Sequence, residues 1–234
     1  VIEAHGGLEN WNRFSDFATN VEIRGRLCEQ TGWTGMVPES RLLLSLREQR
    51  TIVSLQGGHG TLLVQPDLVS HLDEHGEYQA SLGHPREALL RNTKLPGWDV
   101  LKTGYFLASI IRYSVTAPFL YASPGFQTEE IEPWIENGET WRGLKILFPR
   151  EIEAPIHLQH AYYGPNGLLR RLRNKVDVMD DLELVSFVTS YDLVEGIWIA
   201  TCRDVFACNE LGLKLDGPPL GEIRLTKYFL SERL

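Results

Sequence analysis

The sequence predicts a mainly β protein, a long antiparallel meander curled into an incomplete barrel around a helical plug. Three observations predict it. From Thr128 onward, extended runs alternate with tight turns at Asn137-Gly138, Pro165-Asn166-Gly167, Asp180-Asp181 and Glu195-Gly196. Links that short join neighbouring strands and leave no room for βαβ crossovers. One stretch, Trp98 to Tyr113, carries a wide apolar face at helical spacing, through Leu101, Tyr105, Ala108 and Ile111. Finally, a meander of about eleven strands is too long to lie flat, so it curls around one core and the helix plugs the concave face.

The elements follow in order. Residues 2–14 read as a short N-terminal helix or two turns interrupted by Gly6-Gly7, with Leu8, Trp11 and Phe14 on one stripe and Ser15-Asp16 ending it. From Phe17 the period switches to two. Phe17, Thr19, Val21, Ile23, Gly25 and Leu27 share one face, and Asn20, Glu22, Arg24 and Arg26 the other. A loop with Gly32, Gly35 and Pro38 follows, then short strands at 42–46, 52–55, 61–64 and 68–72. Gly57-Gly58-His59-Gly60 precedes a strand rather than a helix, so it reads as a hairpin turn and not a phosphate cradle.

Residues 74–97 break the β rhythm, with a short helix started by Pro85 at its first position. Asp99 suits the start of the main helix, where a carboxylate faces the positive end of the dipole. The expected later strands are 128–135, 139–148, 156–164, 168–178, 184–194, 197–208 and 222–230. The whole reads as one β-barrel-like domain over residues 1–234, with a helical insertion around 85–113.

Composition narrows the partners. Net charge is −8 and hydrophobic residues make up 43% of the 234-residue chain. An acidic chain is a poor match for phosphate backbones or anionic membrane surfaces, so nucleic acid is not expected as a partner. No stretch approaches the length of a membrane span. Three cysteines, Cys28, Cys202 and Cys208, make no disulfide framework. Free thiols suit a reducing compartment and no secretory leader pattern is read at Val1, so a cytoplasmic location is expected. Oligomeric state is not legible.

Motifs for nucleotide, metalloprotease, serine-hydrolase and dithiol chemistry are not found, and no cofactor or metal is expected. His71 and His75 are four apart, but on a strand running into a turn that spacing does not make a metal pair. Strand parity singles out two arginines. Arg170 shares a face with Leu168, Leu172 and Val176; Arg203 shares one with Ile197, Ile199 and Val205. A cation on an apolar face requires a carboxylate, either Glu130 or Glu132 of the chain or one on a ligand. His157 and His160 fall on opposite faces of one strand, and a wall histidine titrates near neutrality.

Four segments together resemble a group of bacterial proteins with the LolA/LolB type of lipoprotein-carrier fold: AHGGLENWNRF (4–14), TAPFLYASPGF (116–126), EEIEPWIENGETWRGLKILFP (129–149) and YYGPNGLLRR (162–171). The resemblance implies a curved antiparallel sheet around a helical plug, enclosing an apolar cavity. It does not imply lipoprotein carrying. The chain departs from the group at Leu172-Arg173-Asn174, where a His-Asp-Tyr run is usual, and at Pro155 and Ser186, where histidines are usual. Some carrier-like and calycin-like barrels are cyclases of natural-product pathways. The functional expectation is therefore a barrel that encloses a hydrophobic small molecule and promotes its cyclisation or isomerisation. The alternative is a non-catalytic carrier of lipid or another hydrophobic ligand; a third reading is a protein-interaction module. His157, Tyr162 and Glu130 are the catalytic candidates. Arg170, Arg203, Tyr105, Tyr113, Trp134 and Phe119 are the substrate-binding candidates.

Overall fold

A computed structural model describes residues 1–26, 40–91 and 97–232. Leu27, Cys28, the turn signals at Gly32, Gly35 and Pro38, and Asn92 and Pro96 lie outside them. Thirteen strands of the described residues form one antiparallel sheet. In the first half these are β1 (Phe14–Arg24), β2 (Ser40–Ser45), β3 (Thr51–Ser54), β4 (Thr61–Val64), β5 (Leu68–Leu72) and β6 (Tyr78–Gly83). In the second half they are β7 (Gln127–Glu136), β8 (Glu139–Leu147), β9 (Leu158–Tyr163), β10 (Leu169–Val176), β11 (Leu182–Val194), β12 (Ile197–Ala207) and β13 (Gly221–Glu232).

The spatial order is β6-β5-β4-β3-β2-β1-β13-β12-β11-β10-β9-β8-β7. Two meanders thus run outward from a seam where β1 pairs with β13, Arg24 opposite Glu222 and Phe14 opposite Glu232. The sheet does not close: β6 and β7 are its two edges. Hairpin chemistry sets the register locally. Asn137 and Gly138 both have positive φ (49° and 80°), as do Glu195 and Gly196 (50° and 80°). That is the twist-matched geometry of a two-residue hairpin.

After the short N-terminal α1 (Leu8–Trp11) come α2 (Pro85–Leu90) and α3 (Val100–Thr116). Asp99 caps α3, accepting from the Lys102 amide at 2.9 Å. The helix runs three residues past the expected Tyr113 and stops at Ala117, before Pro118. It is buried on nearly every side because the sheet curls around it, contacting β3 to β6 on one flank and β12 on the other. Two buried guanidiniums tie it to both halves. Arg112 Nη1 donates to the Ser45 oxygen of β2, and Arg203 Nη2 of β12 donates to the Ser114 oxygen at 3.1 Å.

Packing on the two flanks differs. On the first, a Cβ added at Gly104 would collide with Leu62 Cδ1 of β4. On the second, against β9 to β13, the helix stands off and leaves a hollow.

Several expected elements change. The N-terminal segment takes the two-turn form, a 3-10 turn (Glu3–His5) and α1 on either side of Gly6-Gly7, while Phe14 to Asp16 already belong to β1. β6 falls where the expected β rhythm breaks: only Ala80 and Leu82 turn partly buried apolar side chains to the core, an alternation of two positions. β10 ends at Val176, and a 3-10 turn (Asp177–Met179) takes the residues expected to prolong it. Cys202 and Cys208 are free thiols. Among the described residues no helix is long and apolar enough to cross a membrane.

Candidate ligand site on the concave face

The hollow is a partly enclosed cavity of about 110 Å³ between α3 and the second half-sheet. The helix presents Phe106, Ile110, Tyr113 and Ser114, spaced i, i+4, i+7 and i+8, so one helical face forms the roof. The floor comes from inward parity positions: Leu172, Asn174 and Val176 of β10, Leu184 and Ser186 of β11, Arg203 and Val205 of β12, and Ile223 of β13. Pro155, Ile156 and Met179 stand at one end, where β9 begins and β10 finishes. Carbon dominates this wall, and a few polar groups are set into it.

Those polar groups are ordered. Tyr121 donates its hydroxyl to Gln159 Oε1, and Gln159 Nε2 donates to Asn174 Oδ1 at 2.8 Å. Both amides are therefore fixed in orientation. Arg203 is buried, 4% exposed, and Nη1 has no hydrogen-bond partner. Burial pushes its pKa down from the ordinary guanidinium range, while Tyr191, Tyr121 and Tyr163 act the other way. Burial raises the phenols of Tyr113, Tyr121 and Tyr163, and pushes Tyr191 up to about 12. These hydroxyls stay protonated at neutral pH and serve as donors, not as bases.

The nine expected site residues do not converge here. Arg203 and Tyr113 line the cavity. Tyr113 donates to the Glu153 oxygen at 3.1 Å; Tyr105 donates to the same oxygen at 3.3 Å but lies against the first half-sheet, outside the hollow. Phe119 is buried beneath the N-terminal helix, stacked on Trp11 with centroids 4.4 Å apart. His157 sits beside the cavity end with its side chain 43% exposed, 3.8 Å from Asp177. Glu130 is on the outside, in a two-bond fork with Arg142 at 3.0 and 2.9 Å.

Arg170 requires a correction with a specific cause. A β-bulge between Leu169 and Arg171 shifts the register, so Leu169 enters the core opposite Tyr163 and Arg170 leaves the inner face. Arg170 instead stands 4.0 Å from Glu139, about a third exposed. The buried neighbour is Arg171, 1% exposed on the opposite face from Leu172. It lies over Trp134 at 4.0 Å and Tyr162 at 4.9 Å, and Nη2 donates to the Gly212 oxygen. Trp134 and Tyr162 therefore form an external clasp and not a cavity wall. Of the cavity residues, Gln159 went unmarked in the sequence, although it shares parity with Ala161 and Tyr163. Pro155, Leu172, Asn174 and Ser186, where the sequence departs from the group it resembles, all line the hollow.

This arrangement of strands and plug matches solved structures. A LolA-superfamily protein of Nitrosomonas europaea superposes with a TM-score of 0.55 over 100% of this chain and 93% of that one, at 11% identity. The fold is LolA-like. A DUF1329-family protein from Desulfovibrio piger superposes with a TM-score of 0.53 over 98% of this chain and 91% of that one, at 10% identity. No family model and no curated protein matches the sequence. At such identities the likeness concerns the LolA-like fold alone.

Proposed function

We propose that this protein binds a hydrophobic small molecule in the concave-face cavity and holds it without chemistry. The observation that carries the reading is the asymmetry around α3. The same helix is packed to contact at Gly104 and Leu62 on one flank, yet leaves about 110 Å³ on the other. Protein interiors are close-packed, with few voids larger than a water molecule, so a hollow of this size with an apolar wall and a few ordered polar groups is the default binding site. Apolar hollows of about 150 Å³ admit benzene, so this one suits a ring or a short run of methylenes, with more of the ligand reaching through the open end.

Cyclisation or isomerisation would require an acid–base group on the cavity wall. His157, Tyr162 and Glu130 all lie off that wall. The wall's own hydroxyls and amides are neutral donors and acceptors, which orient a ligand but move no proton at neutral pH. A holding role uses everything the wall offers.

Native mass spectrometry of protein purified from its host tests this. A bound apolar molecule should leave with the wild-type protein and be missing from Ser186→Phe, which fills the hollow with a ring. Equal occupancy in the two proteins would place the ligand elsewhere and remove the reading.

A further inference from the structure

We infer that the cavity receives an amphiphile with a carboxylate head group, seated head-inward against Arg203 with its apolar tail running toward Pro155 and Met179. The inference rests on the binding reading above and adds the chemical class of the ligand.

Among the described residues, Arg203 is a buried cation without a counter-ion. The titratable groups that face it are Tyr121, Tyr163 and Tyr191 from the neighbouring segments, with His5 beyond them; none is a carboxylate. Burying a charge costs several kcal/mol unless an opposite charge and hydrogen bonds compensate. Part of the compensation is structural. Ser114 is in the last turn of α3, so its oxygen is one of the unpaired helix carbonyls and carries the negative end of the dipole. That accounts for Nη2 and for about half a unit of charge. Among the described residues it leaves Nη1 of this cavity-lining arginine without an acceptor. A buried guanidinium with an unused N–H group, set in an apolar wall, matches a carboxylate oxygen.

Position sets the direction of binding. Along β12 the lining residues are Arg203 and then Val205, with the strand ending at Ala207. On β10 they run from Leu172 to Val176, toward Met179. Arg203 therefore marks the inner end. The wall between it and Met179 carries Ile110, Leu172, Leu184 and Val205, with Ser186, Asn174 and Gln159 as the polar positions among them; its carbon suits a hydrocarbon tail.

Calorimetric titration at neutral pH tests the inference, with octanoate and dodecanoate set against octanol and dodecanol. In the wild type each acid should bind at least about tenfold tighter than its alcohol, the scale of a hydrogen bond to a charged group. Arg203→Met should abolish that preference while alcohol binding remains. Alcohols bound as tightly as acids by the wild type would overturn the inference and leave the cavity reading standing. So would a preference that survives in Arg203→Met. Absence of binding by all four compounds would overturn both.

Discussion

Gly104 of α3 lies against Leu62 of β4 with no room for a side chain between them. Glycine in a helix interior ordinarily costs about 1 kcal/mol relative to alanine. Here it lets the plug approach the first half-sheet, where Leu62 is fully buried. Gly104→Val should therefore destabilise the fold by about 1–3 kcal/mol, the range for overpacking a filled core. Urea unfolding checks it. An unchanged or raised midpoint would mean the helix seats differently.

Acid should weaken the protein through His5. This histidine is 2% exposed, with Nδ1 2.9 Å from the Val1 oxygen and Nε2 accepting from the Leu169 amide at 3.5 Å. Those bonds suit the neutral ring. Burial, first among the causes, pushes its pKa down from 6.5 to about 4. The unfolded chain takes up a proton near pH 6.5 and the folded chain only near pH 4. Stability from this group is thus complete above the upper value, falls as pH drops between the two, and levels off below. The loss should approach about 2–3 kcal/mol. Thermal midpoints of wild type and His5→Phe across that window should show a shallower acid dependence in the variant. Parallel curves would exclude His5 as the source.

The Arg171 clasp on the outer face is the next test. Its guanidinium covers Trp134 and Tyr162 and holds the Gly212 oxygen, which fastens the segment before β13 onto the sheet. Arg171→Ala should cost about 2–4 kcal/mol by removing the packed stem and the cation–π contacts together. Arg171→Met should recover part of this, because Nε and Nη1 of the native arginine have no partners and an apolar chain loses nothing there. Equal stability of Arg171→Ala and wild type would contradict the assignment.

Much of this architecture was legible because strand alternation and turn chemistry are local. The Asn137-Gly138 and Glu195-Gly196 hairpins and the inward face of β12 needed only period two and positive-φ residues. Arg203 was found that way. What failed was also physical. One inserted residue near Leu169 inverts parity, so Arg170 was read as inward while Arg171 was the buried one. Tyr78 to Gly83 turn only Ala80 and Leu82 to the core, an apolar rhythm too short to stand out at the sheet edge. The seam between β1 and β13 joins the two ends of the described chain, and that decides which residues share a wall. His157, Tyr162 and Glu130 have suitable chemistry for catalysis, but distant pairings place them at the rim and outside.

The central claim is that the space beneath Ile110 and Phe106 admits an apolar guest. Fluorescence titration with N-phenylnaphthylamine, a neutral probe that brightens in apolar surroundings, tests it most directly. The account predicts a single saturable site in the wild type that is lost in Ser186→Phe while the variant keeps its unfolding midpoint. No saturable signal in the wild type, or an identical one in the filled variant, would contradict it.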